Sequence, residues 1–224
     1  MYELIEQLKN KHWLWQGSET QTTSDYRSTG YPELDTHLCG GFPTHGVVEI
    51  QSPIGIGELR LLLPYLQQHN DRLTVLINPP GNVHSEALQH AGLMLSQVLV
   101  LTPRSAKEAL WAAEQCLKSG ACSQVLLWQE ELEVHQARRL QVASETGESL
   151  NFLFRPQQQH LFSLPVTLSL QLAADSDGLQ VTIAKRRGGW SSEPFVVNFR
   201  QRWNSLTKPL TSPVVVPFPI QKQG

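Results

Sequence analysis

The sequence predicts an α/β fold: a mostly parallel sheet with helices on both faces and antiparallel strands at one edge. Three observations carry this expectation. Short apolar runs at 47–50, 73–78, 98–101, 124–128 and 150–154 alternate with segments of helical periodicity, the pattern of strands buried on both faces. The first run turns through glycines straight into a leucine-rich helix. Beyond Pro156 the helical signals cease, and the runs at 166–172, 179–186 and 195–199 read as strands alone. With 224 residues, 40% hydrophobic and 17% charged, the chain has enough apolar content for one full core and too much for a disordered segment.

Each element has a local reason. Residues 2–11 read as a short helix with Leu4, Ile5 and Leu8 on one face. Trp13-Leu14-Trp15 then either grips a partner or pins that helix to its own domain. Pro32 suits a helix's first turn, Leu34 and Leu38 share a face, and Gly40-Gly41 breaks the helix. The helix at 59–68 contains Pro64, which lacks an N–H and is expected to kink or shorten it. The strand at 73–78 ends at Pro79-Pro80-Gly81, and a helix at 83–91 stops at Gly92. The strand at 98–101 is expected to be buried. The helix at 105–118 turns Ala109, Leu110, Ala113 and Leu117 inward, and a further helix spans 132–145. Asp175-Ser176-Asp177-Gly178 reads as a hairpin turn. From Leu206, four prolines around Val214-Val215-Val216 predict an extended arm that docks on a partner or folds back. The expected organisation is a helix and linker at 1–27, a core at 28–205 and a tail at 206–224.

Composition excludes several classes. The net charge is −2, whereas a general polyanion binder is normally basic, so DNA contact is expected to be weak or indirect. Three cysteines at no metal-ligand spacing, and histidines without a helical pair and acid partner, argue against a metal site. The odd cysteine count suits a reducing cytoplasm. The acidic N-terminus lacks a signal peptide's apolar run, and no window approaches membrane length.

The glycine turn is the most informative stretch. Ser52-Pro53-Ile54-Gly55-Ile56-Gly57 between strand and helix is the frame of a phosphate-binding loop, where backbone N–H groups and a helix N-terminus cradle anions. That chemistry needs Gly-Lys-Ser/Thr, and here the positions read Gly57-Glu58-Leu59. A carboxylate replaces the cation and an isobutyl group replaces the magnesium ligand. On this stretch alone, a relic of a phosphate loop and a plain strand-to-helix turn are equally good readings.

Taken together, STGYPELDTHLCGGFPTHGVVEI before the loop, Ser119-Gly120-Ala121 before the strand at 125–128, and VTIAKRR followed by Phe195-Val196-Val197 resemble the RecA ATPase core from about residue 28 to 199. The resemblance places the P-loop lysine and threonine on Glu58 and Leu59. It places the water-activating glutamate near Pro80, the Walker B aspartate on or beside Gln129 and the polar sensor near Arg155-Pro156. All are replaced, which implies no catalytic residues, no cofactor and no useful ATPase. Ser52, Gly55, Gly57, Glu58 and Leu59 then form a degenerate loop.

A second resemblance is narrower. GIGELRLLLP, LWAAEQCLKSGACSQVLLW, ARRLQVASETGESLNFLFRP and the KRRGG turn are similar to the bacterial ImuA family, itself related to SulA division inhibitors. It implies a non-catalytic adaptor in SOS-induced translesion synthesis, with an ImuB-like polymerase-related protein, an error-prone polymerase and RecA as partners. Two alternatives stand beside it: a SulA-like inhibitor binding the tubulin-like division protein, and an unorthodox nucleotide hydrolase. Lys185, Arg186, Arg187 and Trp190 form the densest basic patch with an aromatic. They are candidates for partner or DNA contact, or simply a solvated hairpin end. Arg138-Arg139 either extends that surface or is a solvated helix face. Arg155, past a strand's C-terminal end, either meets a partner's acid or Glu58, or makes a structural ion pair. Gln158-Gln159-His160-Leu161-Phe162 loosely fits a sliding-clamp motif.

Overall fold

The sheet forms where the apolar runs fall. The computed structural model describes residues 26–157 and 164–203. Within them lie strands β1 (Tyr26–Arg27), β2 (Phe42–Pro43), β3 (Gly46–Gln51), β4 (Leu73–Ile77), β5 (Val98–Leu101), β6 (Cys122–Trp128), β7 (Leu150–Arg155), β8 (Leu168–Asp175), β9 (Gly178–Arg186) and β10 (Phe195–Asn198). The helices are α1 (Pro32–His37), α2 (Glu58–Gln68), α3 (Ser85–His90), α4 (Ala106–Lys118) and α5 (Val134–Gly147). Eight strands make one sheet in the order β10-β9-β8-β3-β7-β6-β4-β5. From β5 to β8 every pairing is parallel. The pairs β8–β9 and β9–β10 are antiparallel, joined at the first by the expected turn after Asp175. The fold is therefore mixed α/β with a mostly parallel sheet. β1 and β2 form a separate antiparallel pair that the glycine-rich sequence gave no reason to expect.

Alternation along the central strands divides the core into two layers. Val48, Ile50, Leu76, Leu126, Phe152 and Phe154 face α1, α2 and α3. Val47, Val75, Ile77, Val125, Leu127 and Leu153 face α4 and α5. The second layer is thin because Ala109, Ala113, Ala137 and Ala143 bring those helices close to the sheet. Ser105 starts α4 by accepting from the Glu108 N–H at 3.2 Å, and Glu133 and Gln136 form a capping box on α5.

Two expectations are corrected here. The strand at 98–101 is not buried: it is β5, the sheet's outer strand, with Leu99 and Val100 exposed. Pro64 does not shorten α2, which continues four residues beyond it. The missing N–H at position 64 would have met the Arg60 carbonyl. Tyr31 donates its hydroxyl to that carbonyl instead, at 3.1 Å, and Trp203 donates its indole N–H to the Tyr31 oxygen at 3.0 Å. Burial raises the Tyr31 pKa, which keeps the hydroxyl protonated as a donor. The N-terminal helix, Trp13-Leu14-Trp15, the glutamine motif at 158–162 and the proline-rich tail lie outside the described residues. No described helix is long and apolar enough to cross a membrane.

The proline repair can be tested by a double-mutant cycle. Tyr31→Phe is expected to cost about 1 kcal/mol in urea unfolding, the net worth of one hydrogen bond. In a Pro64→Ala background the backbone N–H returns to the Arg60 carbonyl, and the same change is expected to cost clearly less.

Candidate functional site

The glycine loop ends in a carboxylate that folds back into it. Gly55 and Gly57 adopt φ of +85° and +113°, a region that side chains disfavour, so the turn needs glycine at both positions. Their N–H groups point inward and meet Glu58: Gly55 donates to its Oε1 at 2.9 Å, and Gly57 donates to its Oε2 at 3.0 Å. Glu58 is buried at the first turn of α2, where the helix dipole favours negative charge. The donors that would hold a phosphate are thus occupied by the chain's own anion. A phosphate brought within about 4 Å of that carboxylate would meet a repulsion of roughly 4 kcal/mol per unit charge at an effective dielectric near 20.

Around the loop, the C-terminal ends of the parallel strands form a cleft in two adjoining parts. One, about 350 Å3, is lined by Leu59, Leu63, Leu76, Val83 and Leu88 among others. The other, about 360 Å3, is lined by Ser52, Ile54, Gln129 and Arg155 among others. Glu58, Pro80 and Trp128 border both. Trp128 stacks on Phe154 with ring centroids 4.5 Å apart. Gln129 turns its amide to the Glu131 carbonyl at 3.0 Å, back onto its own loop. No cluster of three or more histidine, cysteine or acidic residues suited to a metal occurs among the described residues.

Beneath the cleft lies a buried polar group that the sequence reading passed over. Glu49 sits in the middle of β3, 3% exposed. Arg155 of β7 bonds its Oε1 at 2.8 Å, and Ser169 of β8 donates to its Oε2 at 2.7 Å. Arg155 also donates from Nε to the Glu130 carbonyl at 3.1 Å. Arg155 therefore makes a structural ion pair, with Glu49 rather than Glu58, and it is buried. The signal was present in the run Val-Val-Glu-Ile, since a carboxylate inside a buried strand demands a cation.

The basic patch lies elsewhere. Val48 is level with Leu168, and Leu168 with Arg186, so Lys185 to Trp190 emerge at the N-terminal end of β3, opposite the glycine loop. The patch also divides. Lys185 donates to the Leu164 carbonyl at 2.6 Å, and Arg186 reaches the Cys39 sulfur at 3.2 Å. Arg187 points outward beside Glu145 at 3.7 Å, and Trp190 is 93% exposed. The structure brings Ser52, Gly55, Gly57, Glu58, Leu59 and Arg155 to one cleft and leaves Lys185, Arg186, Arg187 and Trp190 at the other end.

Comparison with known proteins bears on the stretch that builds this cleft. A family model described as cell division inhibitor SulA matches residues 47–151, from β3 to the start of β7. The cell division inhibitor SulA of Edwardsiella piscicida is 32% identical over 130 residues, covering 55% of this chain and 77% of that protein. That of Klebsiella aerogenes is 30% identical over 128 residues, covering 51% and 76%. The chain belongs to the SulA family. Across other family members it spans less of the relative: 56% of the Photorhabdus laumondii protein, at 34% identity over 100 residues, and 59% of the Klebsiella pneumoniae protein. The crystal structure of SulA from Pseudomonas aeruginosa aligns at 28% identity with a TM-score of 0.42, covering 49% of this chain and 98% of that one.

These matches overturn the translesion reading. The relatives are named as inhibitors of division, and the expected partnership with an ImuB-like protein, an error-prone polymerase and RecA is set aside. The resemblance had pointed to the right neighbourhood, since SulA was its stated relative, but to the wrong branch of function.

The buried pair can be tested directly. Glu49→Gln is expected to cost about 3–5 kcal/mol in denaturant unfolding, because it strands a buried guanidinium. Glu49→Leu combined with Arg155→Met is expected to recover most of that loss.

Proposed function

We propose that this protein is a non-catalytic inhibitor of cell division that acts in the cytoplasm by binding the tubulin-like division protein, as part of the response to DNA damage. The supporting observation is family membership: relatives of which this chain covers about three quarters are named cell division inhibitors. The cleft is compatible with that reading. Its loop donors are bonded internally, its second-strand end is proline rather than acid, and its Gln129 amide faces its own loop. Such a site holds shape without the charges of phosphoryl transfer.

We read the glycine loop as the relic of a phosphate loop on a RecA-like core. The support is the order of the parallel strands, β5-β4-β6-β7-β3-β8, with the loop following the central β3, where open α/β sheets place ligands. ImuA-like phrases such as GIGELRLLLP are then marks of shared ancestry with no functional consequence drawn. Among the partner-contact candidates, Trp190 and Arg187 have the exposure such a role needs, whereas Lys185, Arg186 and Arg155 are engaged within the chain. The division of the chain into 1–27, 28–205 and 206–224 belongs to this reading as well.

Induced expression in the bacterial host is expected to give filamentous cells. The purified chain is expected to lower polymer mass when added to the tubulin-like protein with GTP. Normal division together with unchanged polymerisation would remove the proposal. For the relic, Glu58→Lys with Leu59→Thr is expected to yield no ATP turnover with magnesium, because the positions at Pro80 and Gln129 stay empty of acid. Turnover from that pair of changes would refute the account.

A further inference from the structure

The face opposite the α1–α3 layer carries a surface that the cleft does not explain. α4 packs over β4 and β6 and α5 over β3 and β7, side by side, with a solvent-facing groove between their outer sides. On α4, Trp111 is 62% exposed; on α5, Val142 is 61% exposed and Val134 45%. These positions follow helical spacing: Lys107, Trp111 and Lys118 along α4, and Val134, Arg138 and Val142 along α5. Two hollows of about 130 and 300 Å3 run along the groove, and both are bordered by Glu114 and Arg139. Those two form an ion pair from one helix to the other, which holds the helices and neutralises the one carboxylate lining the groove. Lys107, Lys118 and Arg138 have no ion-pair partner among the described residues. On a chain of net charge −2, this is a local positive face with large apolar side chains set into it.

We infer that the α4–α5 groove binds an acidic amphipathic helix of a partner protein. Two flanking helices leave a channel of helix-in-groove geometry, read by apolar anchors one turn apart. Trp111 and Val142 supply anchors on opposite walls, and exposed tryptophan is the residue type that most often dominates such contacts. Lys107, Lys118 and Arg138 select carboxylates flanking the partner's apolar stripe and repel a basic helix. A nucleic acid fits less well, because its phosphates need a broad positive field and offer nothing to Val134 and Val142. The inference stands apart from the division reading, since it rests on α4 and α5 alone and names only the chemistry of the partner.

The test uses the full chain and a displayed library of random peptides. Selection is expected to enrich sequences with apolar residues at i, i+4 and i+7 flanked by Asp or Glu. A synthetic peptide of that class is expected to bind with an affinity that falls at least about tenfold in Trp111→Ala/Arg138→Glu and weakens as salt rises. Both positions are exposed, so thermal melts of the variant and the parent should coincide, and Lys107→Glu provides a second, independent variant. Enrichment of basic or pattern-free peptides, binding that survives both variants, or no enrichment at all would overturn the inference. So would tighter binding of a short DNA duplex than of the peptide. Self-association of the chain lost in Trp111→Ala would likewise overturn it, by assigning the face to a second copy.

Discussion

The Glu49–Arg155 pair is the interaction on which the centre of the molecule depends. It joins β7 to β3 and, through Ser169, β3 to β8, so one carboxylate ties three adjacent parallel strands. Apolar alternation alone would tolerate a two-residue slip that keeps every side chain on its own face. A buried carboxylate does not, because a slip would strand it among apolar groups with no cation. The pair thus specifies register where Val, Leu and Phe are interchangeable. It lies beneath the cleft at the strand ends, and the Arg155 guanidinium extends the tie to the Glu130 carbonyl in the cleft wall.

The same logic of internal satisfaction governs the glycine loop. A strand, a tight turn and a helix N-terminus leave backbone N–H groups that must be bonded to something. In a phosphate loop the ligand does it. Here Glu58 does it from within, and the loop is complete without a ligand. Tyr31 treats Pro64 in a similar way, filling a vacant acceptor inside α2 from outside the helix. Both are polar repairs at sites where the chain departs from regular backbone. Both also anchor the end of α2 that faces the cleft, Glu58 at its N-terminus and Tyr31 at its third residue.

The fold class was legible because it rests on periodicity, which is local. The runs that became β3, β4, β6 and β7 had to be strands buried on both faces, and the turn after Asp175 had to be a hairpin. What was not legible depends on neighbours. Val98 to Leu101 is as apolar as any central strand, and only its place at the end of the sheet order leaves it exposed. Pro64 looked disruptive because its repair comes from a tyrosine 33 residues earlier in the chain. The Lys185–Trp190 patch looked continuous along the chain. Strand alternation sends Lys185 and Arg186 to different partners, the Leu164 carbonyl and the Cys39 sulfur, so contiguity in sequence did not become one surface. That the glycine turn lacks lysine and hydroxyl was plain in the sequence, but the bonds its N–H groups make required the fold of Glu58 back onto Gly55.

The cleft donors bond within the chain, and its central charges are paired below it. The outside carries an exposed outer strand, an indole at the hairpin end, and a groove whose cations outnumber its carboxylate. This division suits the proposed role of an inhibitor that occupies another protein. The Glu49–Arg155 pair fixes the centre, whereas exposed aromatic and charged groups cost little stability to keep. Changes at Glu49, Arg155 or Tyr31 should therefore act through folding, whereas changes at Trp111, Arg138 or Trp190 should leave the fold intact and alter association. That separation would make loss of the proposed inhibition interpretable in a variant whose melting temperature is unchanged.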